Sequence, residues 1–180
     1  MFGAETVTSA RNPRIKGLLE LQEKSRARRR EGLFVVEGRR ELGHCLEAGF
    51  IPHTLFICEE ILGEKEAEEL VARARKVNCD VGLVQIPAEI YDKIAYRGGT
   101  EGIIAEIQNK ERTLEDLHLG DNPVVIVLES VEKPGNLGAV LRSADAAAAD
   151  AVIICDPLTD LDNPNLIRAS SGAVFTLQLA

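Results

Sequence analysis

The chain has 180 residues, 45 % of them hydrophobic and 28 % charged, which allows one ordinary domain or two small ones and excludes wholesale disorder and fibrous classes. No apolar run reaches the length of a membrane span, and the N-terminus MFGAETVTSARNPRIKG has no apolar signal core, so a cytoplasmic protein with no membrane partner is expected. The net charge of −8 argues against nucleic acid, but residues 11–40 hold ten Lys or Arg against four Asp or Glu, a local +6, while the remainder carries −14.

A positive end on a negative body can meet a polyanion with one face, or it can be a solvated, charged helix. The cysteines (Cys45, Cys58, Cys79, Cys155) form no CxxC pair, and His44, His53 and His118 are equally scattered. Reduced thiols and no metal are the expectation.

In chain order, Asn12-Pro13 is a helix start, a capping side chain followed by proline at the first helical position. Residues 12–30 read as one basic amphipathic helix. Ile15, Leu18, Leu19 and Ala27 form its apolar stripe, Lys16, Lys24, Arg26, Arg28, Arg29 and Arg30 fill much of the rest, and Gly32 is the stop. Strand and helix then alternate. A strand is predicted over 33–37 and a helix over 39–48 with Gly49 as its cap. A strand over 53–60 and a charged helix over 64–77 follow. Next come a strand over 80–87, a helix over 88–97 introduced by Pro87, and a turn and strand over 99–108. The polar stretch 109–123 is the best linker candidate.

Beyond it, VVIVLESV (124–131) has the continuous β-branched pattern of a strand buried on both faces of a parallel sheet. KPGNLG (133–138) reads as a tight turn. A helix with Leu137, Val140, Leu141 and Ala144 on one side leads to a second buried strand, AVIIC (151–155), completing a βαβ unit. The polar loop 156–165 lies at that strand's carboxyl end, where open α/β sheets bind ligands. The last segment, AVFTLQLA (173–180), reads as an uncapped strand, so the chain is expected to be a fragment of a longer protein. The fold class is α/β.

Four places can carry chemistry. The GNLG stretch lets backbone approach an anion, or it is simply a strand-to-helix turn. Arg142 sits one helical turn beyond Gly138 on the same side, where it reaches a ligand over the turn or pairs with Asp145. RASSGA (168–173) offers a cation, hydroxyls and a glycine for phosphate or ribose, or it caps a helix end. Glu37-Gly38, ahead of Arg39 and Arg40, is part of the basic face or an ordinary turn.

Three stretches together carry a resemblance: NPRIKGLLELQEKSRARRREGLFVVEGRRELGHCLEAG, ESVEKPGNLGAVLRSADAAAADAVIICDP and NPNLIRASSGAVF. They strongly resemble the SpoU/TrmH family of RNA methyltransferases, in the SPOUT class, over essentially the whole chain. The most specific part is Asn136-x-Gly138-x-x-x-Arg142 with Ala144-Asp145-Ala146 and the downstream NPxxxRxSxG.

The resemblance implies a basic N-terminal helix (1–30), a substrate-binding domain of L30e-like fold (31–108), a linker (109–121) and the N-terminal part of a SPOUT catalytic domain (122–180) whose later part threads a trefoil knot. It implies a homodimer that binds S-adenosylmethionine and moves a methyl group to a ribose 2′-hydroxyl of ribosomal or transfer RNA. By the same match Arg142 and Asn136 are the catalytic candidates. Arg11, Asn12, Lys16, Arg28, Arg29, Arg30, Arg39, Arg168 and Ser170 are the RNA-contacting candidates.

The family's later cofactor motifs are absent, so most of the cofactor pocket is expected beyond Ala180, and the chain alone is expected not to bind the methyl donor with normal affinity. The family often has glycine where Ala148 and Ala151 stand. A left-handed cap at Ala148 would cost ~1–2 kcal/mol. A non-catalytic RNA-binding module and a different nucleotide-binding α/β enzyme are the alternative readings.

Overall fold

The structure, a computed structural model, describes residues 3–96 and 101–180 and divides into two units, Met1–Asn109 and Lys110–Ala180. Arg97 and the predicted turn at 99–100 lie outside the described residues. In the first unit Asn12 caps α1 (Pro13–Glu23) as predicted, its side chain accepting from the Arg14 N–H at 2.9 Å. The expected single helix is two helices, however. Lys24 is extended (φ −116°, ψ 113°), and α2 (Ser25–Glu31) starts after it and ends at Gly32, which is left-handed with φ 64°. The break lets α1 bury Ile15, Leu18 and Leu21 while α2 turns Ala27 and Arg28 inward.

The sheet of this unit contains β1 (Glu5–Thr6), β2 (Leu33–Glu37), β3 (Pro52–Ile57), β4 (Gly82–Gln85) and β5 (Ile103–Gln108) in the order β1-β4-β3-β5-β2. β4 pairs parallel with β1 and β3, and β5 pairs antiparallel with β3 and β2. The helices are α3 (Arg39–Glu47), α4 (Glu59–Leu62), α5 (Glu64–Val77) and α6 (Ala88–Ile94).

Alternation puts Val35, Phe56, Val84 and Ile104 on one sheet face. There they join Ile15, Leu18, Leu21, Ala27, Ile90 and Ile94 in a single buried cluster. Fully burying one such aliphatic side chain stabilises by about 1.5–3 kcal/mol before entropy is counted. The apolar side chains between them in sequence, Phe34, Val36, Leu55, Ile57, Ile103 and Ala105, are also buried, and α3 and α5 pack against β2 and β3. Gln22, buried, donates to the carbonyl of Ile94 at 2.9 Å and ties α1 to α6. The N-terminal segment 1–30, expected to stand ahead of a domain over 31–108, is thus built into that domain's core. The strand predicted over 53–60 stops at Ile57, where α4 takes over, and the predicted 80–87 strand shortens to β4.

The second unit is a βαβ unit: β6 (Val125–Glu129), α7 (Pro134–Ala146) and β7 (Ala151–Cys155), with β6 and β7 parallel and Val125 to Glu129 in register with Ala151 to Cys155. Two short helices follow, α8 (Pro164–Ala169) and α9 (Ala173–Thr176). The strand predicted over 173–180 begins as α9 instead, because Gly172 (φ 88°) starts a helical turn that buries Val174 and Phe175. Extended pairing begins only at Gln178, whose carbonyl accepts from Val152 N–H at 2.9 Å, and continues with Ile154 N–H to the Ala180 carbonyl at 2.8 Å.

Two further expectations differ. KPGNLG is no turn: Pro134 opens α7, so Asn136 and Gly138 are helical. Nor is β6 buried on both faces, since Val127 is 63 % exposed. A β-branched run reports a strand's tendency toward burial, and whether it is satisfied depends on what packs over it. The polar stretch 109–123 holds a 3₁₀ turn over Leu114–Asp116, closed by a capping box between Thr113 and Asp116, and belongs mostly to the second unit.

Candidate functional site

The carboxyl ends of β6 and β7 lie side by side, and each is followed at once by a left-handed residue, Ser130 (φ 53°) and Asp156 (φ 45°). Ser130 N–H donates to the Cys155 carbonyl at 3.0 Å. Non-glycine residues in this region are strained, and strain of this kind gathers at functional sites. Both residues are exposed, as is Leu158 in the loop beyond. Among the described residues no group of three or more His, Cys, Asp or Glu could hold a metal ion.

From these strand ends α7 carries the two catalytic candidates. Gly138 faces inward, and a Cβ there would lie 2.6 Å from Ala169 Cβ and 2.7 Å from its carbonyl carbon. The glycine is needed for close packing of α7 on α8, a role the sequence reading divided between ligand approach and turn. Arg142 follows one turn later, beside this seam. Its side chain is exposed and makes no hydrogen bond or ion pair among the described residues. The pair with Asp145 weighed from sequence does not form, because Asp145 Oδ1 accepts from Thr176 Oγ1 at 2.7 Å. Asn136 is exposed in the first turn. Six residues of α-helix separate it from Arg142 by about 9 Å along the axis and about 120° around it, so the two do not share a face.

The RNA-contacting candidates separate sharply. Arg28 is only 3 % exposed, and its Nη1 donates to the carbonyls of Leu21 and Gln22 at 2.6 and 3.3 Å. It closes the end of α1 and is no part of a basic surface, which corrects the sequence reading. Ser170 is likewise corrected: it is fully buried, and its Oγ donates to the Ile167 carbonyl at 2.9 Å while accepting from Val174 N–H at 3.4 Å. Asn12 uses its side chain for the α1 cap.

Arg30 is held by Glu31 at 2.6 Å and Glu20 at 3.5 Å, and Arg39 lies 3.7 Å from Glu101. The Lys24 ammonium, with Arg30 adding to it, holds the Glu20 carboxyl below its ordinary range. Arg11, Lys16 and Arg29 are exposed and carry no ion pair among the described residues, and Arg168 is exposed on α8. Arg26, which sequence reading assigned only to the basic helix, is exposed one turn before Arg29 on the same side of α2.

The sequence reading missed one polar cluster. Glu106, buried in the middle of the first unit's sheet, lies 3.5 Å from His53 Nδ1, beside Thr54. Burial pushes its carboxyl up, against the opposing pull of the Thr54 hydroxyl and His53. A single Glu in a strand is normally read as solvent-facing, so nothing in the local pattern marks it.

Comparison with known proteins matches residues 12–105 to the MRM3-like substrate binding domain and residues 123–180 to the SpoU rRNA Methylase family. The chain belongs, by the family model that covers more than half of it, to the MRM3-like substrate binding domain family, and its last third matches the SpoU rRNA Methylase family. It is 26 % identical over 171 residues to mouse "rRNA methyltransferase 3, mitochondrial", covering 92 % of this chain and 39 % of that protein. To the zebrafish "rRNA methyltransferase 3A, mitochondrial" it is 30 % identical over 163 residues, 86 % of this chain and 35 % of the relative.

Among solved structures, one described as an RNA 2′-O ribose methyltransferase aligns with a TM-score of 0.79 at 36 % identity, over 97 % of this chain and 64 % of that one. An AdoMet-bound rRNA methyltransferase from Sinorhizobium meliloti aligns at 0.85 and 24 % identity, over 99 % and 64 %. The α/β fold is the fold of these enzymes. The chain spans about two fifths of the mitochondrial relatives it matches first.

Proposed function

We propose that this chain provides the substrate-binding domain and the first part of the catalytic domain of an S-adenosylmethionine-dependent RNA ribose-2′-O-methyltransferase. Ribosomal RNA is the favoured substrate over transfer RNA, since the relatives above are described as rRNA methyltransferases. An L30e-like fold for the first unit, a trefoil knot completed by later residues, a homodimer and a cytoplasmic location are parts of the same proposal, carried by the family resemblance. The single observation that supports the reading best is Arg142: exposed, held by no internal partner among the described residues, and standing beside the packed Gly138 seam.

When bound, S-adenosylmethionine supplies a methyl group on a positively charged sulfur, ready for transfer. The exposed polar rim of Ser130 and Asp156 is where this chain would hold part of it. A ribose hydroxyl is a weak nucleophile and must lose its proton as it attacks. A guanidinium stays charged in proteins, so Arg142 does not serve as the base. It holds a backbone phosphate next to the reacting ribose and stabilises negative charge developing on the sugar oxygen. Alignment of oxygen with methyl is the other contribution the protein makes. Asn136, on a different face of α7, takes a shaping role at the mouth of the same helix.

The test is Arg142→Ala in the full-length protein, with methyl incorporation into ribosomal RNA followed by mass spectrometry of nucleosides. Turnover is expected to fall by at least ~100-fold, the scale of losing one preorganised charge-stabilising group, with RNA affinity largely kept. Unchanged turnover would sink the role. A wild-type protein that binds RNA and methylates none would leave a binding module instead.

A further inference from the structure

The loop over 156–163 is fastened from two sides. Thr159, almost wholly buried, donates its hydroxyl to the carbonyl of Glu132, the residue just ahead of the Lys133 cap of α7. Asp162 meets Arg112, which belongs to the segment entering the second unit, with Nη1 3.6 Å from Oδ1 and side chains only 11 % (Arg112) and 8 % (Asp162) exposed. Between these anchors the loop is braced internally. Asp162 N–H donates to Asp160 Oδ1 and Asn163 N–H to the Asp160 carbonyl, both at 3.0 Å, and Asn163 Oδ1 accepts from Asn165 N–H at 2.8 Å to start α8. The segment bearing Arg112 is held too: the Thr113–Asp116 capping box follows it directly, and His118 exchanges hydrogen bonds of 2.7 and 3.1 Å with Gln178.

A buried ion pair is a poor source of stability, because taking both charges out of water costs about what their attraction returns. What such a pair does supply here is one arrangement, since a loop that moved away would leave either charge buried without the other. Here the arrangement fixes a loop whose other end grips the entry to the helix carrying Asn136 and Arg142. Both tied loops, 130–133 and 156–163, stand at the carboxyl ends of β6 and β7.

We propose that Arg112, acting through Asp162 and Thr159, is a positioning residue for the methyl-transfer site, locking the two strand-end loops to each other so that α7 presents Arg142 in one orientation. The inference rests on the methyltransferase reading of the second unit.

The test uses the full-length protein and the variants Asp162→Asn, Arg112→Lys and the charge-free pair Arg112→Met with Asp162→Leu. Three quantities are read: amide hydrogen exchange over 130–137 and 157–163, the single-turnover methyl-transfer rate at saturating RNA and donor, and RNA affinity. In Asp162→Asn, exchange in both loops is expected to quicken roughly tenfold and the rate to fall roughly tenfold, with RNA affinity within about twofold. Arg112→Lys, which keeps the charge but changes its reach and shape, is expected to show part of the same loss. The charge-free pair is expected to regain thermal stability and not the rate.

A charge-free pair that recovers the rate along with stability overturns the proposal, and so does unchanged exchange over 130–137 in Asp162→Asn. Exchange is readable whether or not a substrate is at hand. A wild-type protein that transfers no methyl group, with the expected exchange pattern, therefore removes the methyltransferase reading while upholding the coupling of the two loops.

Discussion

Ala148 follows α7 with φ 52°, the left-handed conformation that the resemblance raised as a question for this position. That conformation costs an alanine ~1–2 kcal/mol, and glycine loses about half of the gain to unfolded-chain entropy, so Ala148→Gly is expected to stabilise by roughly 0.5–1 kcal/mol in denaturant titration. Gly138 is the opposite case. A methyl group there would stand 2.6–2.7 Å from Ala169 atoms, so Gly138→Ala forces α7 and α8 apart and is expected to cost about 1–3 kcal/mol in the same titration. Arg28 shows why residue type alone misleads. Its neighbours Arg29 and Arg30 are exposed, but at its own position the helix faces the core, and the long aliphatic stem reaches back to two carbonyls. Arg28→Met keeps the stem and loses the bonds, and a loss of about 2 kcal/mol is expected with little direct effect on RNA contacts.

At the scale of elements, the break at Lys24 redistributes the charge of the N-terminal segment. Read as one helix, its cations surround a single stripe. As α1 and α2 they divide into a buried cap at Arg28, a set neutralised by Glu5, Glu20 and Glu31, and Lys16 on α1 with Arg26 and Arg29 on α2, which are exposed and carry no ion pair among the described residues. If α2 lies on the RNA path, replacing Arg26 and Arg29 by Gln should reduce the slope of log affinity against log salt by about 0.7–0.9 per lost contact. A slope equal to wild type would show that α2 faces solvent in the complex. Element boundaries were legible where capping chemistry is local. Asn12-Pro13 and Gly32 each act within one turn, whereas the ends of β3 and α9 depend on partners distant in sequence, and the helix start at Pro134 reads as a turn in the sequence because Pro and Gly mark both.

For the molecule as a whole, the buried Glu106 links stability to pH. Its carboxyl is raised in the fold by burial, so the folded state holds a proton that the unfolded chain has released above the ordinary glutamate range. Stability from this group is therefore complete at pH below about 4.3 and declines as pH climbs toward the raised value. Glu106→Gln removes the titrating charge at nearly constant shape. Its midpoint for unfolding is expected to exceed that of wild type at pH 7.5, with the gap closing toward pH 4. Equal differences at both pH values would mean that His53 and Thr54 compensate the charge fully.

The sequence alone determined the α/β class, the βαβ unit of the second half, the start of α1 at Asn12-Pro13, the stop at Gly32 and the family resemblance, because these rest on alternation, capping and motif spacing, which act over a few residues. It also singled out Arg142 as the residue to test, by its spacing past Gly138 together with the family resemblance. Only the tertiary structure decided which charges are exposed, that Ser170 and Arg28 are internal, that Gly138 serves helix packing, and that Arg112 reaches Asp162 across about fifty residues of chain. Burial and pairing belong to surfaces brought together from remote parts of the chain, and no window of neighbouring residues contains that information.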